Sequence, residues 1–75
     1  MTMQIARISC DGIPYALPEG FHKASNLRAF FGVDDEKHLW GEGDKDDSLI
    51  PEDDSEIQIE TGMKFYTAHK KINQG

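Results

Sequence analysis

The sequence contains a single cysteine, Cys10, among its 75 residues. One thiol cannot form an intramolecular disulfide or supply a thiolate metal cluster, so packing alone has to stabilise the fold. A chain of this length can form only one domain around one small core. A reducing compartment suits such a chain, and we expect the protein to be cytoplasmic.

Long apolar runs are also missing, since no stretch approaches the roughly 20 apolar residues that a membrane span requires. The first residues, MTMQIARISC, lack the basic start and apolar run of a signal peptide. Basic residues are few, 8 against 14 acidic ones, and the net charge is −6. A negative protein repels phosphate backbones. We therefore expect a soluble protein that binds neither membranes nor nucleic acid, and its acidic segments favour a basic partner surface.

The clearest local pattern is Asp11-Gly12 between two strand-like runs, QIARISC and IPYAL. A type I′ hairpin turn requires positive φ at both central residues, and this pair accepts it. Pro14 lacks a backbone donor, which predicts that the second strand lies at a sheet edge. A two-residue loop also places a set of side chains on one face, which we predict to be the core face. That set is Ala6, Ile8, Cys10, Ile13, Tyr15 and Leu17.

After Pro18 the apolar residues recur every three or four positions, which predicts a helix over residues 23–31. Gly32 accepts the left-handed conformation that ends a helix, and Val33 can fold back as its apolar contact. The rest of the chain divides by its turn residues. We predict a strand at 38–42, a turn at 43–47, a short strand at 48–50, an irregular acidic crossing at 51–60 and a final strand at 63–68.

This order, with a hairpin first and one helix laid over the sheet, is the β-grasp arrangement. We predict an α+β fold: a small mixed sheet of four to five strands, with one helix across one face and the last strand parallel to the first. Leu27 of the helix and Phe65 of the last strand should both be buried. Leu39 and Trp40 are neighbours on a strand and must point to opposite faces, so one of them is exposed.

Three motifs carry a resemblance to a known family. They are I-x-C-D-G-x-x-Y-x-x-P-E near the start, L-W-x-E in the middle and G-M-K-F-Y-T-A-x-x-x-I-N-x-G at the end. Over nearly its whole length the chain resembles the bacterial multiubiquitin and related ubiquitin-like domains. Such domains are encoded beside relatives of ubiquitin-activating enzymes, conjugating enzymes and metal-dependent isopeptidases. The resemblance implies a protein modifier whose partners are those enzymes and the target proteins.

The resemblance also gives Gly75 the role of the activated carboxylate. A β-carbon there would hinder the nucleophile, and glycine tolerates the backbone conformations of a narrow channel. We expect a domain over residues 1–68 and a flexible conjugation tail over residues 69–75. Ubiquitin ends in Gly-Gly, whereas this chain has Gln74-Gly75, which predicts a dedicated activating enzyme. The residues expected to thread into that enzyme are His69, Lys70, Lys71, Ile72, Asn73 and Gln74.

Two other functions stay open. A sulfur carrier with a C-terminal thiocarboxylate shares the fold, and a β-grasp interaction module that is never conjugated would leave Gly75 without a role. Trp40 is either a core residue or an exposed anchor for a partner.

No enzyme is expected, because no nucleophile, base and orienting group can be brought together. Cys10 should be a buried core residue. The histidines have no metal-ligand spacing. The DKDDS segment fails as a calcium loop, since Leu49 and Ser55 occupy the positions of the required glycine and glutamate. We expect no metal and no cofactor.

Overall fold

The computed structural model describes residues 4–70, and these form strands around one helix. Five strands make a mixed sheet in the order β2-β1-β7-β4-β5, while β3 and β6 pair as a second, two-stranded sheet. Strand β7 lies between β1, to which it is parallel, and β4, to which it is antiparallel. This α+β fold is the predicted β-grasp arrangement. The elements are β1 (Ile5–Cys10), β2 (Ile13–Pro18), β3 (Gly20–Lys23), α1 (Ala24–Phe31), β4 (Lys37–Gly41), β5 (Ser48–Ile50), β6 (Glu56–Ile59) and β7 (Lys64–His69).

The first hairpin has the predicted turn and register. Asp11 and Gly12 have φ of 53° and 78°, and Cys10 pairs with Ile13. On the predicted core face, Ile13 is the exception, because 54% of its surface is exposed. It stands next to the turn, whereas Tyr15 on the same face packs against Phe30 and Phe31 of the helix.

Strand β2 is an edge strand, as Pro14 predicts. The residue pair that flanks a two-residue turn is hydrogen-bonded, and along the hairpin hydrogen-bonded pairs alternate with pairs that are not hydrogen-bonded. The backbone N–H and C=O groups of Pro14, Ala16 and Pro18, where present, therefore point away from β1. Two of these three residues are prolines without an N–H group. Within β2, Ala16 therefore offers the one outward donor, which protects the edge against pairing with another strand.

Helix α1 covers residues 24–31 and ends as predicted. Gly32 is left-handed, with φ of 68°, and its N–H donates to the Ala29 carbonyl. The N–H of Val33 donates to the carbonyl of Arg28 at 2.8 Å. These two bonds satisfy carbonyls at the helix end, as a left-handed glycine cap does.

The structure corrects the prediction that residues 51–60 are irregular. Glu56–Ile59 form strand β6, which pairs antiparallel with β3, Gly20–Lys23. The alternation of Ile57 and Ile59 is a strand pattern, and Ile59 is fully buried. Its partner β3 has almost no strand pattern of its own, so only the tertiary contact reveals the pair. Strand β4 also begins and ends one residue earlier than predicted.

One hydrophobic core lies between the five-stranded sheet, the helix and the small sheet. Leu27 and Phe65 are 1% and 4% exposed, which confirms that both are buried. Leu39 is fully buried, so Trp40 is the member of that pair that faces outward. Between residues 4 and 70 the structure contains no helix with the length and apolar character needed to cross a bilayer. The core residues are Ala6, Ile8, Cys10, Leu17, Ala24, Leu27, Leu39, Ile50, Ile59 and Phe65.

Candidate functional site at the end of the central strand

The predicted tail begins inside the fold. His69 is the last residue of β7 and pairs with Lys37 of β4. The backbone N–H of Lys70 donates to the carbonyl of Glu36 at 2.9 Å. The folded part therefore extends two residues past the predicted boundary at residue 68, because the start of β4 supplies a backbone partner. The remaining residues assigned to the tail, Lys71, Ile72, Asn73, Gln74 and Gly75, lie outside the described residues.

The side chain of Lys70 is held by Glu52, which follows β5 in the chain. Lys70 Nζ donates to Glu52 Oε1 at 2.9 Å. Arg28 Nη2 lies 3.7 Å from the same oxygen, and His38 Nδ1 lies 3.3 Å from Glu52 Oε2. One carboxylate thus contacts basic side chains from the helix, from β4 and from the residue that follows β7. We call these residues, Arg28, His38, Glu52 and Lys70, the exit cluster.

Electrostatics keep Glu52 ionised. The hydrogen bond from Lys70 is the main reason that the pKa of Glu52 is lowered; burial opposes it, and the charges of Lys70, Arg28 and His38 lower the pKa further. The side chain is 39% exposed, so solvent and salt screen these interactions. The exit cluster orients Lys70 more than it stabilises the domain.

Arg28 is the buried member of the exit cluster, with 8% of its surface exposed. Its Nη1 donates to the Lys37 carbonyl and its Nη2 to the Asp34 carbonyl, both at 3.1 Å. The guanidinium therefore joins the helix to the loop before β4. The sequence did not indicate this role, because a basic residue in the last turn of a helix is ordinarily explained by the helix dipole.

His38 completes the exit cluster without a proper hydrogen bond. Its Nδ1 is shielded from solvent and has no hydrogen-bond partner among residues 4–70. Glu52 Oε2 is near at 3.3 Å, but the angle between the groups is unsuitable, so the contact is a charge interaction when the ring is protonated.

A shallow cleft lies beside the exit cluster on the helix side, with a volume of about 310 Å³. Two members of the exit cluster, Arg28 and Glu52, form part of its wall, and the rest of the wall mixes polar and small apolar side chains. The cleft therefore offers charged groups of both signs next to the point where the chain leaves the sheet. Its lining is Ser25, Arg28, Ala29, Val33, Asp35 and Glu52.

Asp11 holds β7 from the other side. Beyond the end of β1, the Asp11 carboxylate takes the place of the β1 backbone as the hydrogen-bond partner of β7. Oδ1 accepts from Thr67 N at 2.9 Å, and Oδ2 accepts from Thr67 Oγ1 at 2.6 Å. The side-chain hydrogen bond from Thr67 is the main reason that the pKa of Asp11 is lowered. Asp11 N also donates to the carbonyl of Phe65 at 3.0 Å. The turn residue that shapes the hairpin therefore also anchors the central strand.

Cys10 has the environment of a core residue. It is 4% exposed, and burial, together with the charge of Asp11, raises the pKa of its thiol to about 11. A thiol with such a pKa is almost entirely protonated at neutral pH, which makes it a poor nucleophile. In the part of the chain that the structure describes, no group of three His, Cys, Asp or Glu side chains is arranged to hold a metal ion.

Neither the family models nor the characterised proteins nor the solved structures contain a match to this chain. The resemblance of the sequence to ubiquitin-like domains therefore stays a prediction.

Proposed function

We propose that this protein is a ubiquitin-like modifier, activated at the carboxylate of Gly75 and transferred through a thioester to an amine on a target protein. The observation that carries the proposal is the position of β7. It is the central strand of a β-grasp sheet, and the chain runs directly from it into the segment that contains Gln74-Gly75. The partners would be an activating enzyme, a conjugating enzyme, an isopeptidase and the target proteins, all in the cytoplasm.

The exit cluster supports this proposal because it defines where the segment starts. Lys70 is held by its backbone bond to Glu36 and by its side-chain bond to Glu52. Gly75 is the fifth residue after that anchor, and five extended residues reach at most about 17 Å. A domain docked on an enzyme surface could thus deliver the glycine carboxylate into a catalytic channel.

The proposed chemistry has three transfers. A Gly75 carboxylate oxygen attacks the α-phosphorus of ATP. Pyrophosphate leaves, and the product is the acyl-adenylate. An enzyme thiolate then attacks the glycyl carbonyl carbon, and AMP leaves. Finally, a target amine attacks the thioester, which forms an amide bond and releases the thiol. The second and third attacks need an unhindered glycyl carbonyl, which glycine provides because it has no β-carbon.

The test uses a chain that ends at Gly75, a candidate activating enzyme encoded in the same genome, and ATP. The expected product is an adduct that requires ATP and that a reducing agent releases. Deletion of Gly75, or Gly75→Val, should abolish the adduct and leave the melting temperature unchanged. The matched control adds one alanine before Met1, which should charge like the parent. An adduct that forms equally well without Gly75 would refute the proposal.

The same experiment separates the sulfur-carrier alternative. A sulfur carrier would be adenylated and then gain mass by exchange of one carboxylate oxygen for sulfur, without a lasting amide bond to a target. Intact mass of the recovered protein therefore distinguishes the two outcomes. The interaction-module alternative is favoured by a separate observation, the half-buried aromatic pair Trp40 and Tyr66 on the outer face of the sheet.

A further inference from the structure

The face of the five-stranded sheet opposite the helix carries a stacked aromatic pair. Trp40 of β4 and Tyr66 of β7 are register partners, with ring centroids 6.4 Å apart and planes within 7° of parallel. Leu49 of β5 is the register partner of Trp40 on its other side and is 48% exposed. We call Trp40, Leu49 and Tyr66 the Trp40 face. Trp40 and Tyr66 are half-buried and Leu49 is exposed, whereas the core lies on the other side of the sheet.

An acidic loop, residues 42–47, borders the Trp40 face. It contains four carboxylates and one amine, that of Lys45. The loop is attached to the aromatic pair, because Tyr66 OH donates to Asp47 Oδ2 at 2.6 Å and Gly43 N donates to Asp47 Oδ1 at 3.1 Å. The Asp47 hydrogen bond is the main reason that the pKa of Tyr66 is raised, and the charge of Glu42 adds to it. The Asp47 carboxylate therefore lies against the hydroxyl end of the Tyr66 ring.

Gly43 is required for this loop geometry. A β-carbon at Gly43 would lie 2.2 Å from the backbone oxygen of Asp46, which is far inside van der Waals contact. The close approach of the chain at this point brings the acidic side chains together on a short loop. Lys45 and Lys64 reduce the local negative charge without cancelling it, since two amines face four carboxylates.

We propose that the Trp40 face and the acidic loop together bind an arginine-containing segment of a partner protein. A guanidinium is planar, so it can stack on an aromatic ring and also bind a carboxylate through two parallel hydrogen bonds. Leu49 supplies an apolar contact for a neighbouring side chain of the partner. Charge complementarity selects this occupant, because nucleic acids and anionic membranes would be repelled by the loop and by the net charge of −6.

A stacked cross-strand pair also stabilises a sheet, so the test has to measure binding separately from folding. The probe is the peptide acetyl-Gly-Arg-Leu-Arg-Gly-amide, titrated into isotope-labelled protein and followed by NMR. The chain has one tryptophan, so the indole N–H of Trp40 is a unique reporter. We expect saturable shifts at this indole, at Leu49 and in residues 42–47. The same peptide with citrulline in place of arginine keeps the shape without the charge and should give no saturable shift.

Variants locate the binding site. Asp44→Asn with Asp46→Asn should weaken peptide binding about five-fold or more, as loss of charge-assisted contacts predicts. The matched control, Asp35→Asn with Glu36→Gln, changes the net charge equally at the other end of β4 and should bind like the parent. If both double variants weaken binding equally, the attraction is general and the proposal is overturned.

The aromatic contribution is tested in the same way. Trp40→Leu should remove most of the binding, whereas Phe21→Leu, at an aromatic residue that is 67% exposed on the small sheet, should not. Leu49→Ser serves as the second variant in case the Trp40 variant is unfolded. Unchanged binding in a folded Trp40 or Leu49 variant, or equal binding of the citrulline peptide, overturns the proposal. The experiment needs neither Gly75 nor an activating enzyme, so its outcome is independent of the modifier function.

Discussion

Replacement of Asp11 by asparagine tests how the hairpin turn holds the central strand. The Asp11 carboxylate accepts two hydrogen bonds from Thr67, one from the backbone and one from the hydroxyl. Asparagine has one acceptor oxygen and no charge, so one of these bonds is lost and the other is weakened. Asparagine still accepts the positive φ of 53° at this position, and the turn should therefore survive.

The expected cost follows from the strength and exposure of these bonds. A hydrogen bond to a charged group contributes about 1.5 to 3 kcal/mol when it is shielded from water. Asp11 is exposed, so solvent screening reduces that contribution, and we expect Asp11→Asn to lose about 1 kcal/mol of stability. For a domain of this size, such a loss lowers the melting temperature by about 4 to 8 °C.

The difference in stability between the parent and Asp11→Asn should also depend on pH. The pKa of Asp11 is lowered in the folded protein, so the folded state binds this proton less tightly than the unfolded state does. The contribution of Asp11 to stability is complete above its pKa in the unfolded state and is lost as the pH falls through its pKa in the folded state. The difference in the free energy of unfolding between the parent and Asp11→Asn should therefore be constant near neutrality and should become smaller below about pH 4. Urea unfolding at a series of pH values measures it.

A double-mutant cycle with Thr67→Val separates this contact from general effects of charge. If Asp11 and Thr67 interact as the structure indicates, the loss in the double variant should be smaller than the sum of the two single losses. Asp35→Asn is the control for the change in net charge and should show no coupling with Thr67→Val. Additive losses, together with a gap that does not change with pH, would refute the role assigned to Asp11.

Two further predictions concern the core and the exit cluster. Phe65→Ala should lower the free energy of unfolding by about 3 to 5 kcal/mol because it creates a cavity, and this loss is close to the whole stability of a small domain. Phe65→Leu should lower it less. Equal denaturation midpoints for the alanine variant and the parent would contradict the packing of β7. Glu52→Gln should release the Lys70 ammonium, which NMR of that group would show as faster exchange with water. The melting temperature should stay nearly unchanged because Glu52 is solvent-exposed. An unaltered Lys70 signal would mean that the backbone bond to Glu36 alone holds this residue.

Local sequence determined the elements that depend on one or two residues. Asp11-Gly12 predicted the turn and thereby the hairpin register, because few pairs accept positive φ twice. Gly32 predicted the end of the helix, and the apolar period before it predicted the helix itself. Pro14 predicted the sheet edge. The β-grasp order followed from these signals, since connection rules leave few arrangements for a hairpin, a helix and further strands.

Only the tertiary structure decided the contacts between residues far apart in the chain. Strands β3 and β6 pair across the sequence, and a strand as weak as β3 gains its conformation from that partner. The Asp11 bond to Thr67, the exit cluster around Glu52 and the Trp40 face each join side chains from separate elements. Side-chain periodicity reports which face of an element is buried, but it does not report which distant residue lies opposite. Strand order and register determine that, and they are set when the whole core packs at once.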